Sequence, residues 1–367
     1  MNRIPDIVTA LAGANCVRPS AETTENIQPP DAILLTGPIN RRWATGFSSS
    51  AGALVVTKTE SVFITDSRYI EAAEAKVRDA QVVQIKSGQS YADIISEVLE
   101  RNNVKCLGFE EDVMTQGAYT NYRKKVTADF VPAQRIVEDL RVSKTPAEYA
   151  LMQKAQAITD QTFAEILPLI TPAITERELT AEIVYRLLKN GAERPAFDPI
   201  VVSGPRASMP HGTPGAHRLM GFVILDFGAV YEGYCADMTR TVAIGEPTAE
   251  MRRVYETVLS AQLAGIQTAK AGVIGKDLDS AARDVIAAAG YGDYFGHSFG
   301  HGLGLEVHEA PRAAPTENRS LPKGAVLSAE PGIYLPGEFG VRIEDTLYLV
   351  DSGCEILTKT PKQLIIL

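Results

Sequence analysis

Gly221-Phe-Val-Ile-Leu-Asp226-Phe-Gly-Ala-Val-Tyr231-Glu-Gly-Tyr-Cys-Ala-Asp237-Met-Thr-Arg-Thr-Val-Ala-Ile244 reads as two strands joined by a turn, each carrying one acid among apolar residues. The run from Gly221 to Ala229 is almost continuously apolar, as expected of a strand buried on both faces, yet Asp226 sits inside it. With the turn centred between Tyr231 and Glu232, Asp226 and Asp237 are equidistant from it, and a tight hairpin sets them opposite each other.

The same arrangement recurs near the C-terminus. Ser328-Ala-Glu330-Pro-Gly-Ile-Tyr334-Leu and Val341-Arg-Ile-Glu344-Asp-Thr-Leu flank the turn Pro336-Gly337-Glu338, with Glu330 and Glu344 symmetric about Gly337. Like charges across a strand pair repel, and burying an unpaired carboxylate costs several kcal/mol. For one such pair, neutralisation by Arg240 or Arg342, or a slipped register that lets the acids reach solvent, is an equally good reading. Four acids in two ribbons are too many for two guanidinium groups, so divalent metal is the better reading.

Of five histidines, three fall in Gly296-His297-Ser-Phe-Gly-His301-Gly-Leu-Gly-Leu-Glu-Val-His308-Glu, a Gly-rich loop that can bring imidazoles close to another surface. A fourth, His211, lies in the turn-rich stretch Ser203-Gly-Pro-Arg-Ala-Ser-Met-Pro-His211-Gly, just upstream of Asp226, whereas His217 reads as a surface residue. The Gly-x-Gly-x-Gly in the His301 loop has neither a preceding strand nor a following Lys-Ser/Thr, so it is not read as phosphate-binding. There is no His-Glu-x-x-His helix and no Gly-x-Ser-x-Gly elbow.

Outward from these motifs, 367 residues point to two domains. Short β-branched runs at 32–36, 52–57 and 61–65, with helical patterns at 68–79, 90–102 and 114–126 and further strands at 81–85 and 105–109, make the first part α/β. An amphipathic helix opens the chain, and residues 20–31 form a polar stretch ending in a Pro pair. At Thr145-Pro-Ala-Glu148 a capping box with Pro in the first turn starts a new helix, which sets domains of 1–141 and 142–367. Helices follow near 146–168, 175–190, 248–270 and 276–289, with strands between and after them. The absence of a βαβ rhythm favours α+β over a doubly wound sheet.

The net charge of −9 argues against a nucleic-acid binder. No run of about 18 apolar residues suggests a membrane span. The scattered Cys16, Cys106, Cys235 and Cys354, with no C-x-x-C, suggest a reducing, cytoplasmic setting.

Taken together, these residues resemble the pita-bread metallopeptidases: aminopeptidase P, prolidase, methionine aminopeptidase and the metal-free creatinase. Arg41-Arg-Trp-Ala-Thr-Gly-Phe-Ser-Ser-Ser and Asp66-Ser-Arg-Tyr look like the creatinase-type N-terminal domain, and the Ser203 to Gly212 loop is similar to that of bacterial Xaa-Pro peptidases. The resemblance implies a creatinase-type α/β domain followed by a pita-bread catalytic domain. It also implies two divalent metals held by Asp226, Asp237, His301, Glu330 and Glu344. The hard, oxygen-rich donor set favours Mn²⁺, with Co²⁺ or Zn²⁺ as alternatives.

The implied reaction is hydrolysis of Xaa-Pro bonds by a metal-bridging hydroxide, with Glu330 as proton shuttle and His211 and His308 as donors to the oxyanion. His297, Arg342 and Tyr334 are expected toward the substrate's proline side, Arg342 alternatively as a partner of the carboxylates. The implied partners are a peptide with proline in second position and a second copy of the chain. An amidohydrolase or amidinohydrolase of the same fold and a non-catalytic peptide-binding module are the competing readings. Creatinase and the binding modules lose metal ligands that all stand here.

Overall fold

The turn Glu232-Gly233 sets the register of the first acidic ribbon. The computed structural model describes residues 2–13 and 30–367, so Cys16 and most of the polar stretch 20–31 lie outside the described residues. Contacts divide the chain into two units, Met1–Leu140 and Arg141–Leu367.

In the first unit the opening helix Ile4–Ala12 buries Ile4, Ile7 and Leu11 along one stripe, the amphipathic pattern expected. Six strands follow: β1 (Ala32–Leu35), β2 (Ala53–Thr57), β3 (Ser61–Thr65), β4 (Gln81–Gln84), β5 (Cys106–Phe109) and β6 (Asp129–Pro132). They form one mixed sheet in the order β4-β3-β2-β1-β5-β6. The helices Ile70–Lys76, Tyr91–Arg101 and Gln116–Arg123 lie where the patterns set them. The helix Pro38–Thr45 was not expected. Its N-terminus is capped from a distance by Glu110, whose carboxylate accepts from the Gly37 amide at 2.8 Å and from Asn40 Nδ2 at 2.7 Å.

The second unit opens with the helix Pro146–Ile166, whose Thr145 and Glu148 form the expected capping box. The helix Glu176–Lys189 packs with it, and the pair Ala249–Thr268 and Gly275–Ala288 comes later. Thirteen short strands accompany the helices: β7 (Arg194–Pro195), β8 (Ile200–Ser203), β9 (Gly221–Asp226), β10 (Ala229–Tyr231), β11 (Tyr234–Cys235), β12 (Thr239–Ile244), β13 (Gly300–Gly302), β14 (Glu309–Ala313), β15 (Val326–Ala329), β16 (Gly332–Leu335), β17 (Phe339–Arg342), β18 (Asp345–Val350) and β19 (Gly353–Ile356). They make sheets of order β12-β9-β8, β11-β10-β7, β14-β13-β15-β18-β19 and β16-β17.

Strand β9 is buried on both faces for a visible reason. Val223, Leu225 and Phe227 pack with Ile158, Phe163, Leu179 and Ile183 of the first helix pair. Phe222, on the opposite face, joins Val254, Val258, Leu278 and Ile286 of the second pair. Asp226 shares the Phe222 face by the period of two.

Both Glu232 (φ 44°) and Gly233 (φ 87°) are left-handed, the backbone of a two-residue type I′ turn. Tyr231 therefore pairs with Tyr234 and Asp226 with Thr239. This corrects the expected register: the turn lies one residue later, so Asp237 stands not opposite Asp226 but one diagonal step away, on the same face. In the second ribbon the pairing Gly332↔Arg342 and Ala329↔Asp345 keeps one register through both ladder segments. Glu330 and Glu344 fall opposite each other at the junction, as expected.

Gly228 faces the Asp237 side of the first ribbon, where an added Cβ would lie 1.7 Å from the Ala236 carbonyl oxygen. Backbone cannot yield as a flexible side chain would. The Gly228→Ala variant should lose about 1–3 kcal/mol or more of unfolding free energy, read by urea denaturation; an unchanged midpoint would contradict the close approach.

Candidate metal centre

Asp237, on the inward face of the segment between β11 and β12, Glu344, between β17 and β18, and His301, on β13, present one ligand atom each within 4.8 Å of one another. Three separate ribbons thus converge on one point. Asp226, Asp237 and Glu344 are 8%, 4% and 1% exposed, and each has one carboxylate oxygen that is buried with no hydrogen-bond partner. A buried acceptor left unpaired is costly, and three side by side are the residue pattern that a divalent cation satisfies. The donor set fits such a cation.

The other oxygens of Asp226 and Glu344 are held by the protein. Arg342 Nη2 donates to Asp226 Oδ2 at 2.6 Å, and Thr239 Oγ1 donates to Glu344 Oε2 at 2.7 Å. Ser328 Oγ donates to Glu330 Oε1 at 3.0 Å while accepting from the His301 amide at 3.0 Å. His301 Nε2 lies 3.1 Å from Glu330 Oε1 and 3.8 Å from Asp237 Oδ2. Its Nδ1 faces the Gly302 carbonyl at 3.2 Å, which keeps a proton there and leaves Nε2 for a ligand bond. Guanidinium neutralisation is therefore realised only in part: Arg342 takes one oxygen of Asp226, while Arg240 turns to Asp345 at 2.8 Å.

The charges respond to this crowding. Burial, then the charges of Glu344, Asp226 and Glu330, pushes Asp237 well above the usual carboxylate range. Burial, followed by Glu330 and Asp226, does the same to Glu344. Burial raises Asp226 too, against the pull of Arg342. Glu330 goes the other way: burial works to raise it, but the His301 hydrogen bond and the charges of His301, His297 and Arg342 bring it down to about 2. Burial would lower His301, yet Glu330 holds it above the ordinary imidazole value.

Around this group the remaining expected residues divide into two sets. His308 is exposed, with its ring centroid 4.2 Å from that of His301, and its pKa is lowered by partial burial and then by His301. His211 is exposed at the tip of its loop, and His217 is exposed as expected. His297, Tyr334 and Arg342 instead form a chain leading inward. His297 Nε2 lies 3.0 Å from the Tyr334 hydroxyl, which accepts from Arg342 Nη1 at 2.8 Å.

Arg342 is 3% exposed, and Nε, Nη1 and Nη2 all donate to protein oxygens, so it stands behind Asp226 as a partner of the carboxylates. Burial pushes the Tyr334 hydroxyl up to about 12, which keeps it protonated. Thr239 and Ser328 escaped the sequence reading. Each lies two positions along its strand from an acid, on the same face, which is the signal that could have found them.

Comparison with known proteins agrees with this geometry. Residues 150–351 match metallopeptidase family M24, and residues 28–143 match the creatinase/prolidase N-terminal domain. The chain is 37% identical to the Xaa-Pro dipeptidase of Pyrococcus furiosus, over 91% of this chain and 95% of that protein. Among solved structures, the Xaa-Pro dipeptidase from Bacillus anthracis superposes with a TM-score of 0.92 at 40% identity, covering 100% of this chain and 99% of that one. The X-Pro aminopeptidase from Thermotoga maritima gives a TM-score of 0.87 at 37% identity, over 92% and 98%. Among the described residues no helix is long and apolar enough to cross a membrane. With its creatinase-type first unit and pita-bread second unit, the chain belongs to metallopeptidase family M24.

Proposed function

We propose that the chain hydrolyses the peptide bond preceding proline in short peptides, with two divalent cations, manganese first, and acts as a homodimer in the cytoplasm. One observation carries the reading: buried carboxylate oxygens without partners lie beside His301, whose ring is next to that of the exposed His308, with the exposed His211 close enough to His308 and His297 for its charge to act on both. The names of the relatives support the substrate class, and the oxygen-rich donor set supports manganese. The free thiols of Cys106, Cys235 and Cys354 support a reducing compartment.

Asp226, Asp237, His301, Glu330 and Glu344 would hold the cations. Bound there, divalent cations supply the Lewis acidity that lets water lose a proton near neutral pH and that draws charge from the scissile carbonyl. Glu330 accepts the water's proton and returns it to the departing proline nitrogen, which carries no hydrogen in the peptide and leaves poorly without one. Its low pKa belongs to the state in which His301 donates to it, a hold that would be released were His301 Nε2 to serve as a ligand.

His308 and His211 donate hydrogen bonds to the carbonyl oxygen as negative charge grows on it. The lowered pKa of His308 keeps its ring neutral and able to donate from one nitrogen. His297, whose Nε2 lies 3.0 Å from the Tyr334 hydroxyl, is assigned to the proline side of the substrate.

With Mn²⁺ supplied, Ala-Pro should be cleaved and Ala-Ala should not; the reverse preference would remove the proline assignment. Asp237→Ala and Glu344→Ala should lose bound metal and activity together. His308→Ala should keep its metal and lose about 10²–10³ in kcat, measured by metal analysis beside initial rates. Wild-type turnover in that variant would refute the donor role.

Stability should respond to pH with a definite sign. Asp226, Asp237 and Glu344 have folded pKa values above their unfolded ones. The cation-free native state therefore holds more protons than the unfolded chain from about pH 4 upward, so its stability falls as pH rises through that window. The rise in Tm on adding Mn²⁺ should be small near about pH 5 and grow toward about pH 8. A rise that is flat across this range would contradict the protonated cluster.

A further inference from the structure

The loop that carries His308 is built around a buried carboxylate that the proposed reaction does not use. Glu309 follows His308 at the start of β14, and its side chain is 7% exposed. Lys144 Nζ donates to Glu309 Oε1 at 2.8 Å, and Arg141 Nη2 donates to Oε2 at 2.5 Å. Lys144 and Arg141 have side chains only 1% and 5% exposed, so both pairs are removed from water. The Glu306 amide also donates to Glu309 Oε2, at 3.3 Å.

The carboxylate lies against the inside of the loop it anchors. An added Cβ at Gly304 would stand 2.3 Å from Glu309 Oε1, so this position must lack a side chain for the carboxylate to fit. Outside the loop, the Gly304 carbonyl accepts from the Cys235 amide at 2.7 Å. The ladder also breaks here: His301 pairs with Arg312 but Gly302 with Glu309, a bulge that re-aims the chain between the two histidines. Burial would raise the Glu309 pKa, yet Lys144 and Arg141 together hold it below the usual range, so the group stays ionised.

We propose that Glu309, clamped by Lys144 and Arg141, is a positioning residue that fixes the Leu303–His308 loop so that His308 stands beside His301 in the geometry the reaction needs. The inference rests on the donor role given to His308 above. A charged anchor suits this task because two cations approaching one carboxylate from different directions constrain its orientation, and hence the backbone of the neighbouring residue, more tightly than an apolar contact does. Glu309 does not touch the expected ligand group; it acts through His308.

The test is a cycle of Glu309→Gln and His308→Ala, with Lys144→Met as a second variant that leaves Arg141 on the carboxylate. Each clamp variant should keep the metal content of the wild type. Each should lower kcat by about tenfold or more with KM changed by less than about twofold. In the His308→Ala background, the same substitutions should change kcat by less than about twofold, because the residue they act through is gone.

A readout independent of turnover is hydrogen exchange at the amides of residues 303–308, which should quicken by about tenfold or more in the clamp variants. Loss of metal, a full additional kcat loss in the His308→Ala background, or unchanged exchange would overturn the clamp while leaving the proposed function standing. Wild-type kcat in His308→Ala alone would instead refute the donor role, and the positioning role with it.

Discussion

Mutual repulsion among buried carboxylates is the constraint on which the second unit depends. Asp226, Asp237 and Glu344 are nearly inaccessible, and each leaves one oxygen unpaired. A fold that needed only stability would place apolar residues there, since a buried acid without a counter-charge is more costly than a well-packed side chain. The surrounding structure is arranged to hold the acids in place all the same. Thr239, Ser328 and Arg342 each take one oxygen and thereby orient the carboxylate that carries it. This is how partners outside a ligand set fix its geometry before a metal arrives.

The two ribbons reach this point by different routes. In the first, a type I′ turn at Glu232-Gly233 sets the pairing, with Asp226 opposite Thr239, which leaves Asp237 in a diagonal position on the same face. In the second, one register runs through two ladder segments, and the acids occupy the break between them. Helix pairs packed on opposite faces of β9 bury the strand that carries Asp226. Exposure is reserved for His211 and His308. A buried acidic cluster beside exposed imidazoles matches what peptide hydrolysis requires: enclosed metal ligands, and donors that can meet a substrate.

Much of this was readable from the chain itself, because acids inside apolar strands and symmetric about turns are conspicuous. The Glu330 and Glu344 pairing followed from the position of Gly337. The Asp226 pairing did not, because the turn centre depends on Glu232 adopting a left-handed backbone, which a glutamate seldom does and which no local pattern announces. The helix Pro38–Thr45 was missed for a similar reason: its cap, Glu110, lies far along the chain. Arg342 could be read either as a substrate contact or as a carboxylate partner, and only three-dimensional proximity to Asp226 and Tyr334 separates the two. The Glu309 clamp likewise joins residues distant in sequence and leaves no periodic trace.

The central claim is that the buried acidic cluster is the cation site, and that burial and mutual repulsion hold its carboxylates above their ordinary range until a cation binds. Isothermal titration of chelated protein with Mn²⁺ near pH 7, repeated in buffers of different ionisation enthalpy, counts the protons released. The account predicts a release of at least about one proton per protein on saturation, because ligands must be deprotonated to bind. Binding with no proton release would show that the carboxylates were already charged side by side, and would contradict it.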